Sequence, residues 1–216
     1  MTGPGSASED LARAHAEFVR AHAADERRFL AELAQDGQHP LAFFVGCSDS
    51  RVIPELLTKA VPGELFVVRN VANLLPPVGR RIVSAGAALE FAVGHLGVRH
   101  IVVCGHGLCG GVRAAIDGSI DPAVEPSLAA WLEGLGSAVA STAGIAEVDG
   151  RWDRAIEENV LEQLRNATTY PVVAAGIAAG TLYLHGWVYD LADDRLRVFD
   201  RELGAFVPAR ALVPGG

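Results

Sequence analysis

Short apolar runs alternate with longer helical patterns along most of the chain. The runs LAFFVG at 41–46, ELFVV at 64–68 and HIVVCG at 100–105 each end in glycine or polar residues, which is typical of buried parallel strands. Two further runs, 181–189 and 195–200, flank a short ADD turn that predicts an antiparallel hairpin. The pattern predicts an α/β fold with a mostly parallel central sheet of about four strands, an antiparallel edge strand and flanking helices.

The beginning of the chain carries a different pattern. From 8 to 35, apolar positions recur at helical spacing among charged residues until glycine and proline end the repeat. We therefore expect a helical N-terminal arm at 1–36 and a catalytic α/β core at 37–216, together forming one domain over 1–216. No internal repeat or low-complexity linker interrupts this organisation.

The net charge of the 216-residue chain is -8, with 26 acidic against 18 basic residues. This balance argues against nucleic acid or an anionic membrane as a partner, because both attract basic proteins. The chain shows neither a signal-peptide pattern at its start nor an apolar stretch of membrane-spanning length, so we expect a cytoplasmic protein. Its three cysteines are too few for a disulfide scaffold, which raises the question of metal binding.

Metal-binding and charged side chains follow two of the predicted strands. The segment CSDSR places Cys47, Asp49 and Arg51 after the first strand, and GHGLCGG places His106 and Cys109 after the third. Parallel strands end at the same edge of a sheet, where ligand sites form at the point at which strand order reverses. Two thiolates and an imidazole suit zinc, and three protein ligands leave a fourth position for water or, in a closed state, for Asp49. The sequence therefore predicts a catalytic zinc site.

Less specific interpretations of these residues stay open. A lone H-x-x-C pattern is weak, because histidine and cysteine near strand ends often serve only packing and hydrogen bonding. Asp49 and Arg51 can also be read as a turn salt bridge, which is worth about 0–1 kcal/mol when exposed. A structural zinc knuckle would give a small, loop-rich fold, whereas this chain has enough apolar sequence for a core that folds without metal.

Four longer motifs share a family pattern. CSDSR, PGELFVVRNVAN, HIVVCGHGLCGG and LHGWVYD resemble the β-carbonic anhydrases at matching spacings, and the resemblance runs from about Gln38 through Phe199. It implies one zinc ion per chain on the Cys, His, Cys set and an Asp-Arg dyad at Asp49 and Arg51. It also implies reversible hydration of carbon dioxide to bicarbonate and a proton, through water activated by the metal.

The resemblance also implies a substrate pocket. Gln38 matches a substrate-orienting glutamine that the family contributes across a dimer interface, although a polar loop residue is the plainer interpretation. The other positions that match the pocket are Phe66, Val71, Phe91 and Gly110. Ordinary core packing is the alternative for the apolar members, and many relatives have tyrosine where this chain has Phe91.

Two accessory roles follow from finer matches to the family. His95 matches a position where some relatives have a candidate proton shuttle, and a helix-surface histidine is the alternative. Gly46, Arg69 and Tyr189 match three of four residues of a bicarbonate regulatory site, with Phe44 in place of the family's tryptophan. A buried structural pair of Arg69 and Tyr189 is the competing interpretation.

The sequence is compatible with three functions. The first function is a zinc carbonic anhydrase, the second a related zinc hydrolase acting on carbonyl sulfide or carbon disulfide, and the third a non-catalytic binding or regulatory homologue. The apolar face of the arm, together with the resemblance, predicts a homodimer or a higher oligomer.

Overall fold

The computed structural model describes residues 4–80 and 84–209. The chain contains two compact units, Met1–Gln38 and His39–Gly216. Within the described residues, no helix has both the length and the apolar character needed to cross a membrane.

The first unit is helical, as the apolar spacing predicted. It contains two helices, α1 (Pro4–Ala21) and α2 (Ala24–Asp36). The chain breaks between them because Ala23 is extended, and its N–H donates to Glu26 Oε2 at 2.8 Å instead of continuing the helix. Both helices expose apolar side chains, including Leu11, Phe18 and Phe29.

The second unit is an α/β structure. Its strands are β1 (Ala42–Cys47), β2 (Leu65–Asn70), β3 (His100–His106), β4 (Tyr183–Asp190), β5 (Arg195–Asp200) and β6 (Ala205–Pro208). Its helices are α3 (Pro54–Thr58), α4 (Ser84–Gly94), α5 (Gly110–Asp117), α6 (Pro126–Leu132), α7 (Gly136–Ser141), α8 (Val148–Ala167) and α9 (Pro171–Ala178). Single 3₁₀ turns cover Val71–Asn73 and Glu133–Leu135.

Within the described residues, the six strands form one sheet in the order β2-β1-β3-β4-β5-β6. The first four strands are parallel, and β5 and β6 are antiparallel to their neighbours, which confirms the predicted mostly parallel sheet with an antiparallel edge. The sequence pattern did not reveal β6, because four residues are too few to show a period-2 alternation.

Strand β1 lies in the middle of the parallel part and is buried along its whole length. Phe43 and Val45 face a cluster built with α4 and α9, whereas Phe44 faces the opposite cluster with Val102 and Trp187. Burial on both faces explains why this strand is a continuous apolar run rather than an alternating one.

The strand order reverses at β1. The chain passes from β1 to β2 on one side and later returns to β3 on the other side, so the loops that leave β1 and β3 diverge from adjacent strand ends. This is the crevice in which open α/β sheets place ligands, and it is where the sequence predicted the site.

Candidate active site

Two sulfurs and an imidazole meet at this crevice. Cys47 is the last residue of β1, His106 is the last residue of β3, and Cys109 lies directly before α5. Their potential ligand atoms all lie within 4.8 Å of one another, and all three residues are buried. The structure therefore brings together the three residues that the sequence singled out as metal ligands.

The hydrogen bonding of His106 leaves one ring nitrogen for a ligand. Nδ1 lies 2.8 Å from the carbonyl oxygen of Gly107, which only accepts, so Nδ1 carries the proton and Nε2 carries the lone pair. Nε2 is fully buried and has no hydrogen-bond partner among the described residues. A buried acceptor without a partner is costly, and a metal ion beside two sulfurs would satisfy it. The residues present thus fit a zinc ion.

The two sulfurs shift each other's pKa in opposite directions. A hydrogen bond from the Cys109 side chain is the largest cause that lowers the pKa of Cys47, to about 4, and the backbone N–H groups of Asp49 and Ala72 lower it further. The same bond, together with burial, raises the pKa of Cys109. Both shifts favour the thiolate form of Cys47, which is the form in which cysteine binds zinc.

Asp49 and Arg51 form a bidentate pair beside the cluster. Arg51 Nε lies 2.9 Å from Asp49 Oδ1, and a terminal nitrogen lies 2.7 Å from Oδ2. These bonds are the largest cause that lowers the pKa of Asp49 well below its usual range, so the carboxylate is ionised. Oδ2 also lies 4.0 Å from His106 Nε2, which places the carboxylate next to the ligand atoms. This proximity distinguishes the pair from an isolated turn salt bridge.

Comparison with known proteins agrees with this geometry. A carbonic anhydrase family model matches residues 42–196. The carbonic anhydrase of Pseudomonas aeruginosa is 43% identical over 173 residues, which make up 79% of this chain and 78% of that protein. The solved structure of the β-carbonic anhydrase CcaA matches with a TM-score of 0.89 at 32% identity, covering 94% of this chain and 92% of the other. The chain belongs to the β-carbonic anhydrase family.

Membership in the β-carbonic anhydrase family confirms the resemblance inferred from the motifs. Its named relatives are carbonic anhydrases, which are lyases. A structure of tetrameric β-carbonic anhydrases from Sordaria macrospora also matches, with a TM-score of 0.73 at 30% identity over 94% of this chain and 96% of that one.

The pocket residues predicted for this β-carbonic anhydrase fall into separate places. Val71 directly follows Asn70, the register partner of Cys47 on β2. Gly110 directly follows Cys109 and begins α5. Both positions therefore lie beside residues of the metal cluster. Gln38 is exposed at the end of the first unit.

The aromatic residues predicted for the pocket lie nearer than Cys47 to the amino ends of the parallel strands. Phe66, Phe91 and His95 form a row with ring centroids 5.9 and 5.2 Å apart. Phe66 lies four residues before Asn70, roughly 13 Å down the strand at about 3.3 Å per residue. These three aromatic rings therefore do not line the metal cluster beside Cys47 in their own chain.

The predicted regulatory residues already have protein partners. Arg69 donates to the carbonyl oxygens of Cys47 at 2.9 Å and Asp49 at 2.6 Å, which holds the loop after β1. The hydroxyl of Tyr189 donates to Asp194 at 2.7 Å, and this bond is the main cause that raises the pKa of Tyr189. Gly46 is the register partner of Arg69 on β2.

Two residues outside the site are also clarified. Cys104 is fully buried within β3, and burial raises the pKa of its thiol to about 12, as expected for a small hydrophobe. His185 lies near the start of β4 and contacts His100, with ring nitrogens 3.1 Å apart.

Sequence reasoning missed three side chains that donate hydrogen bonds to the backbone beside the metal cluster. The acceptors are the carbonyl oxygens of Val71, Cys109 and Ala72, and the donors are Trp131, Trp152 and Asn159, respectively. The signal for Asn159 was a polar residue on the apolar face of α8, four positions before Gln163. Buried polar side chains on an apolar helix face need partners, and here those partners are backbone groups.

Proposed function

We propose that this β-carbonic anhydrase catalyses the reversible hydration of carbon dioxide to bicarbonate and a proton, with one zinc ion per chain held by Cys47, His106 and Cys109. The observation that carries this proposal is the convergence of two sulfurs with a buried imidazole nitrogen that has no other partner. A non-catalytic binding or regulatory homologue would not need the ionised Asp49 and its bidentate arginine beside the metal ligands.

Zinc bound here would supply a Lewis acid that makes water nucleophilic near neutral pH. The chain's own groups would then orient the reaction. Asp49 is ionised and accepts hydrogen bonds, so it can accept one from the attacking water. That hydrogen bond would orient a lone pair of the water oxygen toward carbon dioxide. Arg51 keeps Asp49 ionised and fixed, and Arg69 holds the loop that carries both Cys47 and Asp49.

The same contacts bear on whether Asp49 is itself a ligand. Moving its carboxylate onto the metal would cost the two hydrogen bonds from Arg51. Charge-assisted bidentate pairs of this kind are among the stronger hydrogen bonds in proteins. We therefore propose that Asp49 stays outside the ligand set in the resting enzyme and that the fourth position is open to water.

We further propose that the active site is completed by a second copy of the chain. Phe66 and Phe91 lie away from the cluster of their own chain, and the exposed fraction of the Phe91 side chain is 44%. The apolar side chains on α1 and α2 are also exposed, and the matched Sordaria macrospora enzymes are tetrameric. In a homodimer or a larger assembly, the aromatic row and Gln38 would wall the site of the neighbouring subunit.

Proton transfer and regulation are minor parts of the proposal. His95 stacks on Phe91 and is exposed, so we propose that it passes protons between the pocket and buffer. Bicarbonate regulation through Gly46, Arg69 and Tyr189 stays a prediction. If Tyr189 binds the anion, replacing it by phenylalanine should weaken inhibition of hydration by added bicarbonate at fixed pH.

The proposed function is tested by stopped-flow hydration of carbon dioxide with zinc-loaded protein, with carbonyl sulfide and carbon disulfide assayed in parallel. We expect rapid carbon dioxide hydration, and we expect Asp49→Asn to lower it by about tenfold or more with zinc retained. Faster turnover of either sulfur compound would favour the related hydrolase. Zinc-loaded protein that turns over none of the three would contradict the proposal and leave a binding role.

A further inference from the structure

The turn that follows β2 has an unusual backbone. Ala72 has φ 63° and ψ 25°, and Asn73 has φ 49°, so two consecutive residues with a Cβ lie in the left-handed region. This region is unfavourable for residues other than glycine, and such conformations persist where the surrounding structure over-determines them. Both residues are also buried, so their backbone groups need partners within the protein.

Side chains from α6 and α8 supply those partners. Trp131 Nε1 donates to the carbonyl oxygen of Val71 at 2.8 Å, and Asn159 Nδ2 donates to that of Ala72 at 2.9 Å. Asn159 is itself held by Gln163, whose Nε2 donates to Asn159 Oδ1 at 2.8 Å. Gln163 also accepts from the N–H of Leu75 at 2.8 Å, which closes the turn.

The clamped peptide faces a metal ligand. Ala72 packs in the same buried cluster as Cys47 and Cys109, and its N–H is one of the groups that lower the pKa of Cys47. This N–H belongs to the same peptide group as the carbonyl held by Trp131. A trans peptide is planar, with its C=O and N–H on opposite sides, so holding the carbonyl aims the N–H at the sulfur. A hydrogen bond accepted by the carbonyl also strengthens the N–H as a donor.

The turn also packs closely against the loop of another ligand. A Cβ on Gly111 would lie 2.8 Å from Val71 Cγ1 and 3.2 Å from Ala72 Cβ. Gly111 lies two residues after Cys109, at the start of α5. Only glycine leaves this space free, so the turn packs directly against the loop that carries Cys109.

We propose that Trp131 and Asn159 are positioning residues for Cys47, acting through the two peptide groups that flank Ala72 to aim a hydrogen bond at the Cys47 sulfur. This inference rests on the proposed function in one respect, namely that Cys47 is a metal ligand. Outer hydrogen bonds of this kind orient a ligand and tune its donation to the metal. Helices α6 and α8 thereby serve the metal site and not only the core.

The test compares Trp131→Phe and Asn159→Ala with two matched variants, Trp187→Phe and Asn166→Ala. Trp187 packs against Phe44 on the other face of the sheet, and Asn166 bonds to Gln163 from the next turn of α8. Zinc affinity is measured by competition with a chromophoric chelator. The cobalt-loaded proteins are then compared by absorption spectroscopy in the thiolate-to-metal charge-transfer region.

We expect zinc affinity to fall by about 10–100-fold in Trp131→Phe and Asn159→Ala and to change by less than about twofold in the matched variants. We also expect the charge-transfer band to move to lower energy in the first pair, because a thiolate that loses a hydrogen bond gives up electrons more easily. Trp131 is only half-buried, so Trp131→Phe tests the proposal even if Asn159→Ala does not fold.

The spectrum separates positioning from general stability. Charge-transfer bands in Trp131→Phe at the parent position would overturn the proposal, whether or not zinc affinity falls, because a structural role alone does not change the Cys47 sulfur. A parent protein that binds neither zinc nor cobalt would instead overturn the proposed function, and this inference with it.

Discussion

The two ends of β3 carry the same residue type in contrasting surroundings. His100 begins the strand and His106 ends it. His106 is fully buried, with one nitrogen committed to Gly107 and the other facing two sulfurs. His100 is exposed, stacks on Tyr183 and shares a hydrogen bond with another histidine.

The comparison teaches that the surroundings, and not the residue type, make a histidine a metal ligand. At the carboxyl end, the backbone fixes the tautomer and burial removes competing water, so a lone pair is left facing the sulfurs. At the amino end, the two rings satisfy each other and no sulfur or carboxylate joins them in a metal-binding group within the described residues. Three mutational comparisons test this contrast.

The largest expected effect comes from replacing His106 by alanine, with His100→Ala as the comparison. His106→Ala should weaken zinc binding by more than about 100-fold and abolish hydration, since it removes a ligand rather than a supporting group. His100→Ala should leave zinc content and turnover within about twofold of the parent. Elemental analysis and stopped-flow assays measure both. Equal effects of the two substitutions would show that the contrast between the strand ends is false.

A smaller effect is expected at the Asp49 and Arg51 pair. Arg51→Ala should keep zinc bound but lower the hydration rate by about 10–100-fold, because Asp49 loses the bonds that fix and ionise it. Arg165→Ala removes an exposed helix pair with Glu162 and should leave the rate unchanged. A normal rate in Arg51→Ala with normal zinc content would reduce the pair to a turn salt bridge.

The smallest effect concerns the pH dependence of stability at the amino end. Burial, followed by His100 and Arg201, lowers the pKa of His185. Below pH of about 6.5 the unfolded chain binds a proton there more readily than the folded chain, so stability falls as pH drops through that value. His185→Gln should reduce the loss of Tm between pH 7.5 and 5.5 by about 1–3 °C, measured by calorimetry. An identical loss in both proteins would show that His185 does not contribute.

Sequence patterns predicted the parts of this molecule that are local in the chain. The strands β1 and β3, their loops and the convergence of Cys47 with His106 follow from apolar runs ending in polar motifs and from the geometry of parallel sheets. The break between α1 and α2 was missed because an extended alanine leaves no strong signal in sequence. The short strand β6 was missed for a similar reason.

The support for the site could not be predicted because it depends on tertiary packing. Trp131 and Asn159 lie 60 and 87 residues from the carbonyls they hold. The left-handed conformation of Ala72 has no signature in its own residue type, since alanine favours helices. The level of Phe66 relative to Cys47 likewise required the strand register.

Metal content is the sharpest test of a metal site that includes two of the three buried cysteines. Zinc should be measured per chain after zinc-replete expression and purification without chelator, in the parent, Cys109→Ala and Cys104→Ala. All three cysteines are buried, but only Cys47 and Cys109 belong to the cluster with His106. We predict about one zinc per chain in the parent and in Cys104→Ala, and little in Cys109→Ala. A parent without zinc, or a full complement of zinc in Cys109→Ala, would contradict the account.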